Sequence, residues 1–408
     1  MTLMCRNPLN LTLCNGVKNG QLIIMRYFGV KIYVIYKELR GFIKEFDMEK
    51  WIYRAVALGV VAFLVSCNSD DTVPPEEPPP RKVLVMNKGE DLNDFSTLTE
   101  FVIEEDAINR NLYQKANKNF MGTRANDVMV EDDAAYFVLN SNNKLIKTDP
   151  NTYELLDQIE LLENPKYIQR IRPNVAYVSS WEKDGVYKVN TSSGRILDVL
   201  RTGVAPGEIT VFNDWVMIPN TGSVFTDSTV SIFSASTDTV VDTLNVGQRP
   251  NSIQISGEKI MYIMCAGVED PVDPTMSIPG SIWKYNLDSM KMALDSGEAI
   301  VAFDTIIFDN ANLNPNSLKI DADGRILYYM DQVENASIFS MDTSRAMPPL
   351  TPFLQGSYEY LAYDAEHREI YLVNDDGATA GRVLRFDESG TVLSEFISGT
   401  KPRGFGFE

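Results

Sequence analysis

The sequence predicts an all-β chain, a seven-bladed β-propeller closed by a one-plus-three strand clasp. Three observations predict it. A short polar or proline-bearing step runs into an apolar strand seven times, starting at Ala125, Pro165, Pro206, Pro250, Pro315, Tyr358 and Pro402. Successive steps lie 40, 41, 44, 65, 43 and 44 residues apart, close to the roughly 40 to 50 residues of one four-stranded blade. The second strands, as at residues 135–139, 260–264, 326–330 and 370–373, are apolar on both faces. A blade wedged between two neighbours requires that, whereas a two-sheet sandwich leaves one face wet. Finally, the seventh step leads into Gly404-Phe405-Gly406-Phe407-Glu408, one strand into a blade, while three unassigned strands stand at residues 82–87, 98–104 and 111–119. Pairing them closes the ring and removes two sheet edges.

The segments ahead of the ring read in order. Residues 1–47 carry an apolar patch at 22–36 that Arg26 and Lys31 interrupt, upstream of a complete export signal. They read as an upstream extension with Met48 as the true start, the alternative being a membrane or targeting segment. Residues 48–66 are the signal: Lys50 and Arg54, an apolar run at 55–65, then Leu64-Val65-Ser66-Cys67. The run is shorter than the about 20 residues that span a bilayer and fits a signal-peptide core of about 7 to 15. Cleavage before Cys67 makes it the lipidated N-terminus; an ordinary signal peptide with a chance cysteine is the alternative. Residues 67–81 form a Pro/Glu tether that cannot bury apolar surface. Asp70 and Asp71 behind the cysteine resemble the surface-export signal of Bacteroidota lipoproteins, which implies the outer face of the outer membrane.

From Cys67 onward there are 28 Lys and Arg against 52 Asp and Glu, a formal net charge of −24. That balance argues against nucleic acid, whose binding rests on neutralising phosphates. Of the four cysteines only Cys265 lies in the ring, so no disulfide staples it.

One register accounts for residues 82–408. In the fourth interval 251–255 is the inner strand, 259–265 the second, 281–286 the third, and 290–294 begins the outer edge. The same order recurs at 167–171, 174–179, 185–190 and 196–201, and at 360–363, 369–374, 382–386 and 392–397. Turns such as Asn190-Thr191-Ser192-Ser193-Gly194 and Asp387-Glu388-Ser389-Gly390 mark hairpins.

The step Gly247-Gln248-Arg249-Pro250-Asn251-Ser252-Ile253, behind the hairpin at 231–244, resembles the YVTN-type (YncE-like) propeller repeat, and the resemblance covers nearly all of 82–408. The ending, 381–387 and 401–405, is similar to that of Bacteroidota surface lipoproteins in this group. Some members of the group capture cobalamin and related corrinoids and pass them to a TonB-dependent transporter; the resemblance implies the same ligand and partner here. No ligand-contact motif matches residue by residue, and the signature strand is degenerate, Val175-Ala176-Tyr177-Val178-Ser179.

The loops joining strands two and three emerge on one rim with the steps, beside the central opening, and loops on a rigid scaffold carry function. The longest are 266–280, 219–228 and 374–380, with Trp181 and Asp184 in a shorter one. The extra length of the fourth interval is assigned to 266–280 and to the approach to Asn314. Trp181, Phe225, Tyr167 and Tyr358 offer flat apolar faces there, and Arg124, Arg249, Arg403, Asn126, Asn251 and Asn316 offer polar groups. A large planar ligand with amide edges suits that mixture. The step prolines, in contrast, read as structural, because proline fixes φ.

Enzymatic readings are thinner. His367, the single histidine, falls beside Glu366 and Arg368 on the opposite rim, which disfavours a nucleophile–histidine pair. Asp321-Ala322-Asp323-Gly324 reads as a β-turn and lacks the remaining ligands of a calcium loop. Glu269, Asp270 and Asp273 share the long loop, with Asp227 and Asp375 on the same rim. A hydrolase or lactonase would need two or three of these to converge, with or without a divalent cation. Adhesion to a protein or glycan is the third reading.

Overall fold

The computed structural model describes residues 22–27, 30–35 and 80–407, apart from 91–93, 132, 161, 224–225, 309–313, 332–335 and 375–379. The signal, Cys67, the tether up to residue 79, Phe225 and Asp375 lie outside the described residues. The chain divides into two compact units, Met1–Pro78 and Pro79–Glu408. In the first, Leu22–Tyr27 pairs antiparallel with Val30–Ile35, Arg26 opposite Lys31.

The second unit is a seven-bladed ring. Blade 1 holds Ala125–Glu131, Ala134–Leu139, Lys144–Thr148 and Leu155–Ile159, in that order from the axis outwards. Blades 2, 3, 4 and 6 repeat the pattern from Pro165, Thr210, Pro250 and Tyr360. Blade 7 takes its inner strand, Pro402–Phe407, from the end of the chain, and pairs it with Lys82–Asn87, Thr97–Val102 and Ala107–Arg110. The expected clasp is present, with one correction: the stretch at 111–119 is not its outer strand but a short helix, Leu112–Asn117, behind it. Seven apolar clusters each span one seam between adjacent blades, so the ring closes without a gap in its core. The second strands supply the largest share of those side chains and are buried on both faces, for example Ala134–Leu139 throughout. At the clasp, Phe101 stacks on Phe396 at 4.4 Å and Tyr360 on Phe405 at 5.7 Å.

The repeated step has a mechanical meaning. Arg124, Asn164, Ala205, Arg249 and Lys401, each the residue before the step, all have φ between 48° and 55°. A left-handed backbone costs a side-chain-bearing residue about 1 kcal/mol or more. Each of these carbonyls accepts a backbone hydrogen bond from a residue at the end of the second strand or just past it: Asn140, Trp181, Thr221, Ala266 and Lys88, at 2.9 to 3.3 Å. The bend therefore locks the inner strand's start to the second strand's end and holds the residues on both sides at the ring's mouth.

Three expectations are corrected. Residues 290–294 do not begin a strand; they lie in a helix, Leu287–Ser296, and the outer strand is Asp304–Ile307. Asn286 caps that helix through Ser289 N–H, Gly297 ends it at φ 74°, and Leu287 and Met290, three apart, bury one face. Much of the fourth interval's extra length is this helix and not rim loop. Residues 219–228 are mostly strand, since Trp215–Gly222 and Thr226–Ser234 run on into a hairpin. Blade 5 has three strands among the described residues; in place of a fourth, Phe353 and Leu354 donate to the Ile338 carbonyl.

Candidate functional site

Inner strands run from the mouth down the axis, so the first residues of each step ring the opening. A cavity of about 260 Å3 opens there, lined by Asn126, Tyr167, Arg249, Asn251, Asn316 and Arg403 among others. Six of the rim residues expected from the sequence thus converge. A second cavity of about 200 Å3 continues down the axis, and the two share Asp127, Glu208, Lys319 and Tyr360, which form a charged waist.

The asparagines do structural duty as well. Asn126 Nδ2 donates to the Lys166 carbonyl at 2.8 Å, and Asn251 Nδ2 to the Pro315 carbonyl at 2.9 Å, each bridging to the next blade. Asn316 is tied to its own step through the Asn314 carbonyl and Ser317 Oγ. Tyr167 lines the cavity with Arg403, and burial pushes the ionisation of its hydroxyl up. Trp181 donates Nε1–H to the Pro206 carbonyl at 3.2 Å, and Lys166 Nζ stands 4.2 Å from its ring centroid. Arg124 is exposed on the rim. Tyr358 is buried in the seam between blades 5 and 6, and Tyr360 faces the channel in its place.

Asp270 and Asp273 do not converge with other carboxylates. Asp270 Oδ1 accepts from Val272 and Asp273 N–H, and Asp273 Oδ1 accepts from Thr275 N–H and Oγ1–H. These bonds hold both carboxyls below their usual range, and both stay in contact with solvent. Asp227 is likewise bound to its own strand start, Ser228 and Thr229, and to Val204 N–H. Asp321 closes the expected β-turn by accepting from Arg325 and Ile326 N–H, and His367 bonds Asp364 on the far rim. Among the described residues no three His, Cys, Asp or Glu side chains gather into a metal-binding group.

Several mouth and waist groups were not singled out from the sequence. Asp127 accepts from Val128 and Ile168 N–H, yet burial, with Glu208 adding to it, pushes its carboxyl up to about 7. Glu208 pairs with Lys319 at 3.4 Å. Lys166 is pushed down to about 8, first by burial and then by Lys88, Arg403 and Arg124. Lys88 is lowered by burial and by Arg403, Arg124 and Lys401, with Glu359 opposing. Next to them Phe95 and Phe120 stack at 4.0 Å while remaining 42% and 46% exposed. Ser96 ties this corner together, donating Oγ–H to the Lys88 carbonyl and accepting from Ala125 N–H. The available signal was positional: Lys166 follows its step proline as Arg403 follows Pro402, and Lys88 follows the second strand's terminal Asn87.

No known family profile matches the chain, and no curated protein matches it in sequence. Solved structures do resemble the ring. A putative 6-phosphogluconolactonase from Bacteroides fragilis superposes with a TM-score of 0.60 at 10% identity, over 82% of this chain and 99% of that one. A quinoprotein alcohol dehydrogenase-like protein from Bacteroides thetaiotaomicron gives 0.59 at 13%, over 79% and 77%. The periplasmic gluconolactonase of Pseudomonas aeruginosa gives 0.57 at 12%, over 80% and 99%. At such identities the likeness shows the fold, a seven-bladed β-propeller, and leaves chemistry to the site.

Proposed function

We propose that this propeller captures a small-molecule ligand at its mouth. In its specific form the protein is a lipoprotein anchored through Cys67 on the outer membrane, and the ligand is a corrinoid that it hands to a TonB-dependent transporter. The observation that carries the reading is the convergence of Tyr167, Arg249, Asn251 and Arg403 on one open cavity at the rim. A mixture of flat rings, amides and guanidinium groups on a rigid frame suits a planar ligand edged with amides. Cobalamin titrated into the purified protein is expected to release heat and to co-elute as a visible chromophore; binding of no corrinoid would sink the specific form. The native protein's mass should match a diacylated chain starting at Cys67, and a mature chain that keeps residues 48–66 overturns the anchor.

A second reading, a propeller hydrolase of the lactonase kind, is favoured by one observation. Asp127, held near 7 in the waist beside Glu208, is placed as a general acid or base would be. Two of the structural neighbours named above are a putative 6-phosphogluconolactonase and a gluconolactonase. Lactone turnover that disappears in Asp127→Asn would establish this reading, and its survival or loss in EDTA separates the carboxylate-only from the metal-dependent form. Because Asp270 and Asp273 cap their own turns, Asp127 is the carboxylate to change first.

A further inference from the structure

The mouth is cationic on a strongly acidic chain. Lys88, Arg124, Lys166, Arg249 and Arg403 come from four blades, and none has a salt bridge to a carboxylate among the described residues. Four of the five are half-buried and only Arg124 is exposed. Glu359 is the carboxylate whose field reaches Lys88, and at the waist Glu208 is already paired with Lys319. Cations gathered in a partly desolvated place repel one another and lose hydration, an arrangement that only a counter-charge relieves. Elsewhere on the ring the counter-charges are built in, as for Arg81, Arg172, Arg368 and Arg385. At the mouth none of these five cations makes such a salt bridge among the described residues, although Glu359 lines the same cavity.

We infer that the mouth is an oxyanion-binding subsite, seating the phosphate or carboxylate group of a small ligand between Lys88, Arg124, Lys166 and Arg403. The inference rests on the mouth being the place of capture and adds the chemistry of what is captured. Arginine presents a planar fork that matches two oxygens of such a group, and lysine supplies a point charge. Arg403 lines the cavity of about 260 Å3; Lys166 adjoins it through the Asn126 amide, and Lys88 and Arg124 flank it on either side of Ser96. The net charge of −24 beyond it repels extended polyanions. Stacked under Lys166 Nζ, Trp181 fixes where that ammonium stands and reports on it. Phe95 and Phe120 provide a flat exposed surface at the same corner for the ligand's uncharged part.

The test titrates pyrophosphate and citrate separately into the protein at low salt, read by calorimetry and by Trp181 fluorescence. Saturable binding of at least one anion is expected, weakening roughly 10-fold or more in Lys88→Met and in Lys166→Met and falling as salt is raised. Which anion binds separates a phosphate ligand from a polycarboxylate. Thermal melts confirm that the variants are folded, and Trp181→Phe should lose the fluorescence change while keeping the heat. Binding of neither anion, or equal affinity in wild type and both lysine variants, overturns the inference. Cobalamin titrated into the same preparations keeps the two readings apart. Corrinoid binding with no anion binding leaves capture standing and removes the oxyanion subsite; anion binding without corrinoid removes the corrinoid and keeps the subsite.

Discussion

Arg368 and Arg403 stand at opposite ends of the same ring, and their surroundings differ. On the far rim Arg368 meets Asp323 at 2.5 Å and Glu388 at 3.3 Å. On the same rim, between blades 2 and 3, Asp238 takes Arg172 and Lys188, each at 2.6 Å, and Glu369 gathers Arg81 and Arg385 with the Tyr371 hydroxyl. At the mouth Arg403, Lys88, Arg124 and Lys166 make no salt bridge among the described residues, and the first three add to the burial that lowers Lys166. The far rim's charges cross-link neighbouring blades and turns, work that a propeller needs whatever it binds. The mouth's four cations form no such carboxylate cross-links among the described residues, and Lys166 rests on the Trp181 ring instead, which is why that end and not the other is read as the site.

The largest effect that would sharpen this contrast is expected at Glu369. Removing it in Glu369→Ala strands Arg385, leaves Arg81 only its longer contact with Asp364, and should destabilise the ring by about 3–5 kcal/mol in denaturant unfolding. The carboxyl also carries a pH signature. Burial pushes it up, but bonds from Arg385, Arg81 and Tyr371 prevail and hold it at about 2 against a reference of 4.5. Its contribution is therefore complete above about pH 4.5 and fades as pH falls toward 2, a fade that the alanine variant should lack.

A smaller loss is expected from Gly381→Ala beside the mouth, where a Cβ would fall 2.3 Å from Pro402 Cδ. Overpacking of that kind should destabilise by about 1–3 kcal/mol; an unchanged melt would show that the step is not the rigid frame described above. Asp127 moves in the opposite sense to Glu369. Its folded carboxyl holds the proton up to about 7, so its contribution to stability grows as pH falls from about 8 toward 4, a component that Asp127→Asn should abolish. Smallest of all, Lys88→Met is expected to shift stability by no more than about 0.5 kcal/mol while reducing anion binding. A large loss of stability there would erase the distinction between the two rims.

The ring was legible because its repeat is long and each step pairs a proline or small residue with a fixed strand pattern. The second blade's third strand was read at 185–190 and is Gly185–Asn190. The helix at Leu287–Ser296 escaped because Met290 and Met292 alternate as a strand would, and the features that decide the matter, the Asn286 cap and Gly297, are single residues. Blade 5's missing fourth strand escaped because its replacement contact, Leu354 on Ile338, is one bridge long. At the mouth, Arg403 and Arg249 could be placed from the step alone. Lys166 holds the same place in its step as Arg403, whereas Lys88 lies outside any step and gains its meaning from neighbours that join only when blades 7, 1 and 2 are side by side. Tyr358 was placed one pleat wrong: two residues on, Tyr360 points into the channel and Tyr358 into the seam.

The clasp has a last consequence, for orientation. Lys82–Asn87 pairs antiparallel to the inner strand Pro402–Phe407, and inner strands begin at the mouth, so the polypeptide joins the ring at Arg81 on the far rim, where that arginine meets Glu369. The chain's entry into the ring and its cationic opening therefore lie at opposite ends of the axis, like the hub and the open face of a dish.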